Sequence, residues 1–224
     1  MREIADGVFE VGLGYVNAHF VVVDDGVVLV DSGLPGRSAT VEKALHEARR
    51  KLGDVHTILL THRHPDHVGN AADLRRRSNA RVVAHAADAP VITGAETVPP
   101  RGLMRVLALF VRPPEPVPVD ETLEADGPLP IRGFSAVHTP GHTSGHVSYL
   151  LDRAGGVLFV GDAAGGGRHD RVRRSPRMMT EDMAAAETSV ARLAAMDFQV
   201  AVFGHGRAIT GGAGDRFREL RARS

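Results

Sequence analysis

The stretch THRHPDHVGN, Thr61 to Asn70, crowds three histidines and one aspartate into six positions: His62, His64, Asp66 and His67. His62 and His64 stand two apart at the end of the apolar run HTILLTH (56–62), which reads as a buried strand, so alternation puts both on one side of it. Pro65 turns the chain, and Asp66 and His67 fall at the mouth of a helix expected over DHVGNAADLRRRS (66–78). One strand-turn-helix corner thus gathers four metal-competent side chains. A catalytic zinc uses about three protein ligands and leaves a position open, so four at one corner suggest two metals.

The remaining ligands belong at other strand ends, where an apolar run stops beside a glycine. His142 lies in HTPGHTSGH (138–146), Asp162 ends VLFVGD (157–162) and His205 follows VAVFG (200–204). Five histidines and two aspartates then suit a dinuclear site with one bridging carboxylate. Thiolate sites, disulfides and cysteine nucleophiles are excluded because the chain has no cysteine, which leaves imidazole and carboxylate to hold any metal.

Composition narrows the class further. The 224 residues suffice for one sizeable core, and 27 basic against 27 acidic residues give zero formal charge, unlike the basic balance of a nucleic-acid binder. The opening MREIADGVFEVGLG lacks a basic flank before an apolar core, and no apolar run approaches the roughly 20 residues that span a bilayer. The expectation is a cytoplasmic protein, monomer or homodimer, acting on a small molecule without nucleic-acid or membrane partners.

Strand-like runs, VFEVGL, HFVVVDD and GVVLVDSG, open the chain, and SATVEKALHEARRKLG (38–53) reads as a helix capped by Ser38 and ended by Gly53. ARVVAH (80–85), GFSAVHTPGHT (133–143), HVSYLLD (146–152) and GGVLFVGD (155–162) continue as strands. A helix over 180–196 has Thr180 as its expected cap, and a short terminal helix covers GDRFRELRARS (214–224). The Pro-rich segment 112–130 reads as an extended crossover between halves. Leu103, Val106, Leu107 and Phe110 recur at helical spacing in 101–111, as in a core-packed helix or a cover over the site.

The set THRHPDHVG, TPGHTSGH, FVGDA and FGHG resembles the metallo-β-lactamase superfamily in its hydrolase and glyoxalase II-like branch, in order and spacing over essentially the whole chain. The resemblance implies an α+β, four-layer αββα sandwich, a single domain over residues 1–224, with metals at one edge between the sheets. It assigns His62, His64 and His142 to one metal, Asp66, His67 and His205 to the other, and Asp162 as the bridge. Asp31, in VVLVDSG (27–33), matches a position behind the ligands, where it would orient an imidazole; a strand-ending turn explains it equally.

Such a centre implies two divalent ions, zinc first and manganese or iron compatible, that acidify a shared water to a hydroxide attacking an ester, thioester or lactone. Asp66 would orient that nucleophile and relay a proton. Departures from named branches narrow the substrate. The bridging aspartate argues against β-lactam hydrolysis as the main activity, leaving it at most a weak promiscuous one, and the chain stops soon after His205, without the glutathione-holding helical domain of glyoxalase II. Gly165 stands where quorum-sensing lactonases carry tyrosine. The alternative is a mononuclear-iron persulfide dioxygenase using only His62, His142 and Asp162. Five arginines follow the bridge, at 168, 171, 173, 174 and 177; Arg168 and Arg171 are the candidates for holding an anionic substrate. His138 and His146 flank His142 and are either supporting residues or ordinary strand residues. His19, His46, His56, His85 and His169 read as structural or exposed.

Overall fold

The computed structural model describes residues 1–99 and 113–222. The segment 101–111, expected as a core helix or a cover, lies outside them.

β-Branched runs punctuated by glycine and aspartate turns build an antiparallel meander: β1 (Arg2–Ala5), β2 (Val8–Gly12), β3 (Asn17–Val23) and β4 (Gly26–Val30). Helical crossovers then make the sheet parallel. α1 (Ser38–Glu47) leads to β5 (Val55–Leu59), and α2 (Pro65–Val68) and α3 (Ala71–Ser78) lead to β6 (Arg81–His85). A short helix, α4 (Ala89–Ile92), precedes β7 (Glu121–Leu123), which completes a seven-stranded sheet in sequence order. The chain then crosses to a second sheet, ordered β14-β11-β10-β9-β8, made of β8 (Gly127–Pro128), β9 (Phe134–His138), β10 (Val147–Leu151), β11 (Val157–Phe159) and β14 (Val200–Val202). Between β11 and β14 lie a two-stranded ribbon, β12 (Ala164–Gly166) and β13 (Val172–Arg174), and α5 (Met183–Leu193); α6 (Ala213–Ala222) follows β14.

Side-chain alternation sorts these strands into layers. In β4, Val27 and Leu29 pack with Val41 and Leu45 of α1 and Leu74 of α3, whereas Val28 and Val30 pack with Phe134, Tyr149 and Phe159 of the second sheet. In β11, Val157 and Phe159 face the first sheet, while Leu158 joins Val190 and Leu193 of α5 and Phe217 and Leu220 of α6. Three apolar interfaces therefore separate four layers, αββα, as the sequence implies. The central strands are apolar on both faces because each face meets a layer.

Four local expectations change. Ser38 is the first helical residue rather than a cap, and α1 ends at Glu47; Arg49 turns left-handed (φ 58°), and Gly53 sits in a separate 3₁₀ turn. The helix expected over 66–78 is two helices, broken at Gly69 and Asn70. The Asn70 backbone amide donates to Ser32 Oγ at 3.0 Å, and its side-chain Nδ2 donates to the Ser32 and Leu34 carbonyls at 2.5 and 2.7 Å. α5 is capped by Asp182, whose Oδ1 accepts from the Ala184 and Ala185 amides, not by Thr180. The Pro-rich crossover carries β7 and β8, so it extends both sheets.

Candidate metal centre

The two sheets are joined at one edge. The Val147 amide donates to Thr61 O and the Asn17 amide to Gly204 O, each at 2.8 Å. At this seam β4, β5, β11 and β14 all run out, and their following residues carry Asp31, His62, Asp162 and His205. Glycine permits the approach: Gly161 is left-handed (φ 57°), and a side chain on Gly204 would strike Asp162 and His67.

All seven candidate residues come together, in three overlapping groups of potential ligand atoms: His62, His64 and His142; His62, His67 and Asp162; and Asp66, His67 and His205. His64 Nδ1 lies 3.1 Å from His62 Nε2 and 2.9 Å from His142 Nε2. Asp162 stands between the groups: Oδ2 is 3.4 Å from His142 Nε2 and 3.2 Å from His205 Nε2, and Oδ1 is 3.5 Å from His67 Nε2. Asp66 Oδ2 is 3.4 Å from His205 Nε2.

Electrostatics divide the centre. Burial, reinforced by neighbouring imidazoles, holds His62 well below the ordinary imidazole range, and burial also lowers His142 and His64. Burial thus favours the uncharged form of all three rings, which bring His62 Nε2, His64 Nδ1 and His142 Nε2 together. Burial opposes charge on His67 and His205 too, but facing carboxylates outweigh it: Asp162 and Asp31 raise His67 well above its usual value, and Asp162 and Asp66 raise His205 to about 10. Asp162 is correspondingly held far below the carboxylate range, its burial outweighed by the facing imidazoles. Two buried ligand-type atoms face each other here, His67 Nε2 and Asp162 Oδ1, 3.5 Å apart and neither making a hydrogen bond. Crowded, unsaturated imidazole and carboxylate atoms of this kind fit divalent cations.

Supporting residues orient these rings. Asp31 lies behind His67, accepting from its Nδ1 at 2.8 Å and from the Thr61 amide at 2.8 Å; its own φ of 59° is a conformation aspartate tolerates better than most residues. His67 Nε2 is thereby turned into the site. His146 is not a member of the three groups. Its Nε2 accepts from the Asp162 amide at 2.9 Å, so its Nδ1–H donates to Thr139 Oγ1, the Thr139 hydroxyl donates to Ser148 Oγ, and Ser148 donates to Val160 O. Burial lowers His146 to about 3, matching that neutral tautomer.

Tyr15 was not singled out by its sequence. It is 63% exposed, its ring stacks on His205 with centroids 5.7 Å apart, and its carbonyl accepts from His205 Nδ1 at 2.9 Å. The only available signal was an aromatic set just after Gly14, in a turn between strands. The arginine-rich segment is the β12–β13 ribbon. His169 and Asp170 both turn left-handed (φ 55° and 53°) at its tip, as a tight hairpin turn requires. Arg168 and Arg171 flank that tip, exposed and, among the described residues, without an ion-pair partner or a hydrogen bond to the seven. Arg174 instead pairs with Glu187 of α5. The ribbon is tied to the centre through its backbone, Gly166 N donating to His205 O at 2.9 Å.

Residues 11–205 match the family model of the metallo-beta-lactamase superfamily. The chain belongs to that superfamily. It is a metallo-hydrolase of this group, whose members bind divalent metal ions. Among metallo-beta-lactamase superfamily relatives it is similar to the probable metallo-hydrolase YflN of Bacillus subtilis, 28% identical over 93% of this chain and 87% of that one. A hydroxyacylglutathione hydrolase of Halorhodospira halophila is 32% identical, over 62% of this chain and 43% of its own length. Among solved structures, BJP-1, a subclass B3 metallo-beta-lactamase of Bradyrhizobium japonicum, superposes with a TM-score of 0.76 over 99% of this chain and 90% of that chain, at 20% identity, and shows the same fold. Among the described residues no helix is long and apolar enough to cross a membrane.

Proposed function

We propose that this chain is a dinuclear metal-dependent hydrolase of a small-molecule ester, thioester or lactone. The observation that carries the reading is Asp162, whose two oxygens face imidazoles of both ligand groups within 3.5 Å. His62, His64 and His142 would hold one divalent ion and Asp66, His67 and His205 the other, with Asp162 shared. Zinc suits this donor set first; manganese and iron are compatible. Bound there, such ions supply Lewis acidity and bring the acidity of a coordinated water toward neutrality.

The chain's own residues supply the rest. The Asp66 side chain is more exposed than those of Asp162 and His67, at 18% against 10% and 0%, which supports giving it the role of aligning an attacking water and taking its proton. The Tyr15 ring forms a wall beside His205 for the apolar part of a substrate. Arg168 and Arg171, on the ribbon anchored to His205, would hold a carboxylate or phosphate on the substrate, since their planar forks suit either group.

The test is to load metal-free protein separately with zinc, manganese and ferrous ion, measure bound metal, and assay ester, thioester and lactone cleavage. Oxygen uptake with glutathione persulfide is followed in parallel. About two ions per chain, with hydrolysis supported by a redox-inert metal, is the expected result. A ceiling of one ion, or oxygen uptake confined to the iron form without hydrolysis by any form, overturns it.

A further inference from the structure

Asp88 is fully buried at the start of α4, more than 20 residues from any of the seven in sequence, and none of its hydrogen bonds goes to their rings. Its carboxylate instead receives four donors from two loops. Oδ1 accepts from Arg63 Nη1 and, at 3.0 Å, from the Gly145 amide. Oδ2 accepts from the Arg63 amide at 3.0 Å and from the Thr143 hydroxyl at 2.7 Å. Arg63 lies between His62 and His64; Thr143 follows His142 directly. Each oxygen therefore bridges the loop carrying two of the three histidines and the loop carrying the third.

The bracing is reinforced on both sides. The second arm of Arg63 pairs with Glu181, whose own amide donates to His142 O at 3.3 Å. Gly145 packs so closely that a Cβ there would sit 2.6 Å from the Asp88 amide nitrogen. Burying an ion pair seldom stabilises more than apolar packing of the same volume would. A carboxylate with all four donors drawn from two ligand-bearing loops is better explained by the spacing it enforces than by stability.

We infer that Asp88 is a positioning residue for the three-histidine group, fixing His62 and His64 against His142 so that their nitrogens converge before any ion arrives. This rests on the metal-binding reading above. The group of Asp66, His67 and His205 is braced by Asp31 on His67 and by the Tyr15 carbonyl on His205; Asp31 also reaches His62 through Thr61, whereas the hydrogen bonds of the Asp88 carboxylate go only to the loops of the three-histidine group.

The experiment is zinc titration of metal-free protein against a competing chelator, for wild type, Asp88→Asn, Thr143→Val and Asp31→Asn, with urea unfolding of each metal-free protein. Outer partners of metal ligands typically contribute about 10–100-fold to affinity. Asp88→Asn should weaken one zinc step by about that factor, and Thr143→Val, which removes a single donor and leaves the Arg63–Asp88 pair, should weaken the same step by less. Asp31→Asn, which touches His67 directly and His62 only through Thr61, should weaken the other step more than this one. If Asp88→Asn does not fold, Thr143→Val carries the test alone. Equal weakening of both steps, or no weakening in folded Asp88→Asn and Thr143→Val, overturns the inference. A wild type that takes up one zinc overturns the dinuclear reading instead; the inference then stands only if that single step weakens in Asp88→Asn and, by less, in Thr143→Val.

Discussion

Replacing Gly161 with alanine adds one methyl group at a constrained turn of the centre. The residue is left-handed (φ 57°), a conformation that costs an L-residue about 1–2 kcal/mol. The new Cβ would stand 2.6 Å from His146 Nε2 and 2.9 Å from Thr61 Cβ. Both neighbours are essentially without exposure, and neither is the free end of a flexible side chain, so the methyl must displace packed groups; overpacking of this kind costs about 1–3 kcal/mol. The two costs together come to about 2–5 kcal/mol, a large fraction of a domain's total of about 5–15 kcal/mol. Urea unfolding of metal-free wild type and Gly161→Ala measures the difference directly, with equal slopes required for the comparison. Gly165→Ala is the control, because its Cβ meets nothing nearer than His205 O at 3.5 Å and its φ is ordinary; it should stay within about 0.5 kcal/mol of wild type. A Gly161→Ala loss no larger than that of the control would refute the reasoning, since it would mean that His146 and Thr61 yield freely.

Asp162→Ala should lower both bound metal and turnover further than Asp31→Ala, because it removes a carboxylate facing both groups while Asp31 acts from behind the ligands, through His67 and Thr61; metal analysis and kcat on the same samples decide the order, and equal effects count against these roles. Arg168→Ala and Arg171→Ala should raise KM several-fold for an anionic ester at one position at least and leave a neutral ester unaffected; unchanged kinetics for both substrates would make the ribbon tip ordinary solvated surface. Tyr15→Ala should raise KM for substrates with an apolar acyl or leaving group while bound metal stays constant; a fall in metal content would mean that the ring holds His205 rather than substrate.

The four-layer arrangement was legible through the family resemblance that the histidine and aspartate motifs carry; the strand runs followed by helices suggested, by themselves, only two sheets covered by helices. The convergence of the seven was legible from their places: each stands where an apolar run stops, and strands of one sandwich end at a common edge. What escaped depended on contacts between segments far apart in sequence. Nothing in HAADAP distinguishes Asp88 from any turn-forming aspartate until Thr143 and Gly145 are folded against it. Tyr15 lies in a turn whose meaning comes only from His205, 190 residues later. Local competition explains the smaller misses. Thr180 and Asp182 are both competent caps, and the geometry of the entry turn selected Asp182. Asn70 belongs to a good helical pattern, yet the Ser32 hydroxyl takes its backbone amide and two backbone carbonyls of the Ser32–Leu34 turn take its side-chain amide.

The hydroxyl chain behind His146 has a consequence for how many imidazoles this centre can count. His146 is no remote bystander: its ring centroid is 5.2 Å from that of His62 and 6.1 Å from that of His142, comparable to the 5.6 Å between His67 and His205. Proximity alone would admit it as a rival donor. It is excluded by direction, because its one free lone pair is already committed to the Asp162 amide, and its single proton must then point to Thr139. Thr139 can receive that proton only because its own is passed on to Ser148 and from there to the Val160 carbonyl, on the other side of Gly161. The circuit closes on the turn from which it started. One imidazole thereby measures the conformation of that turn and is withdrawn from competition for a cation, and a threonine hydroxyl with no hydrogen bond to any of the seven decides which histidines remain available.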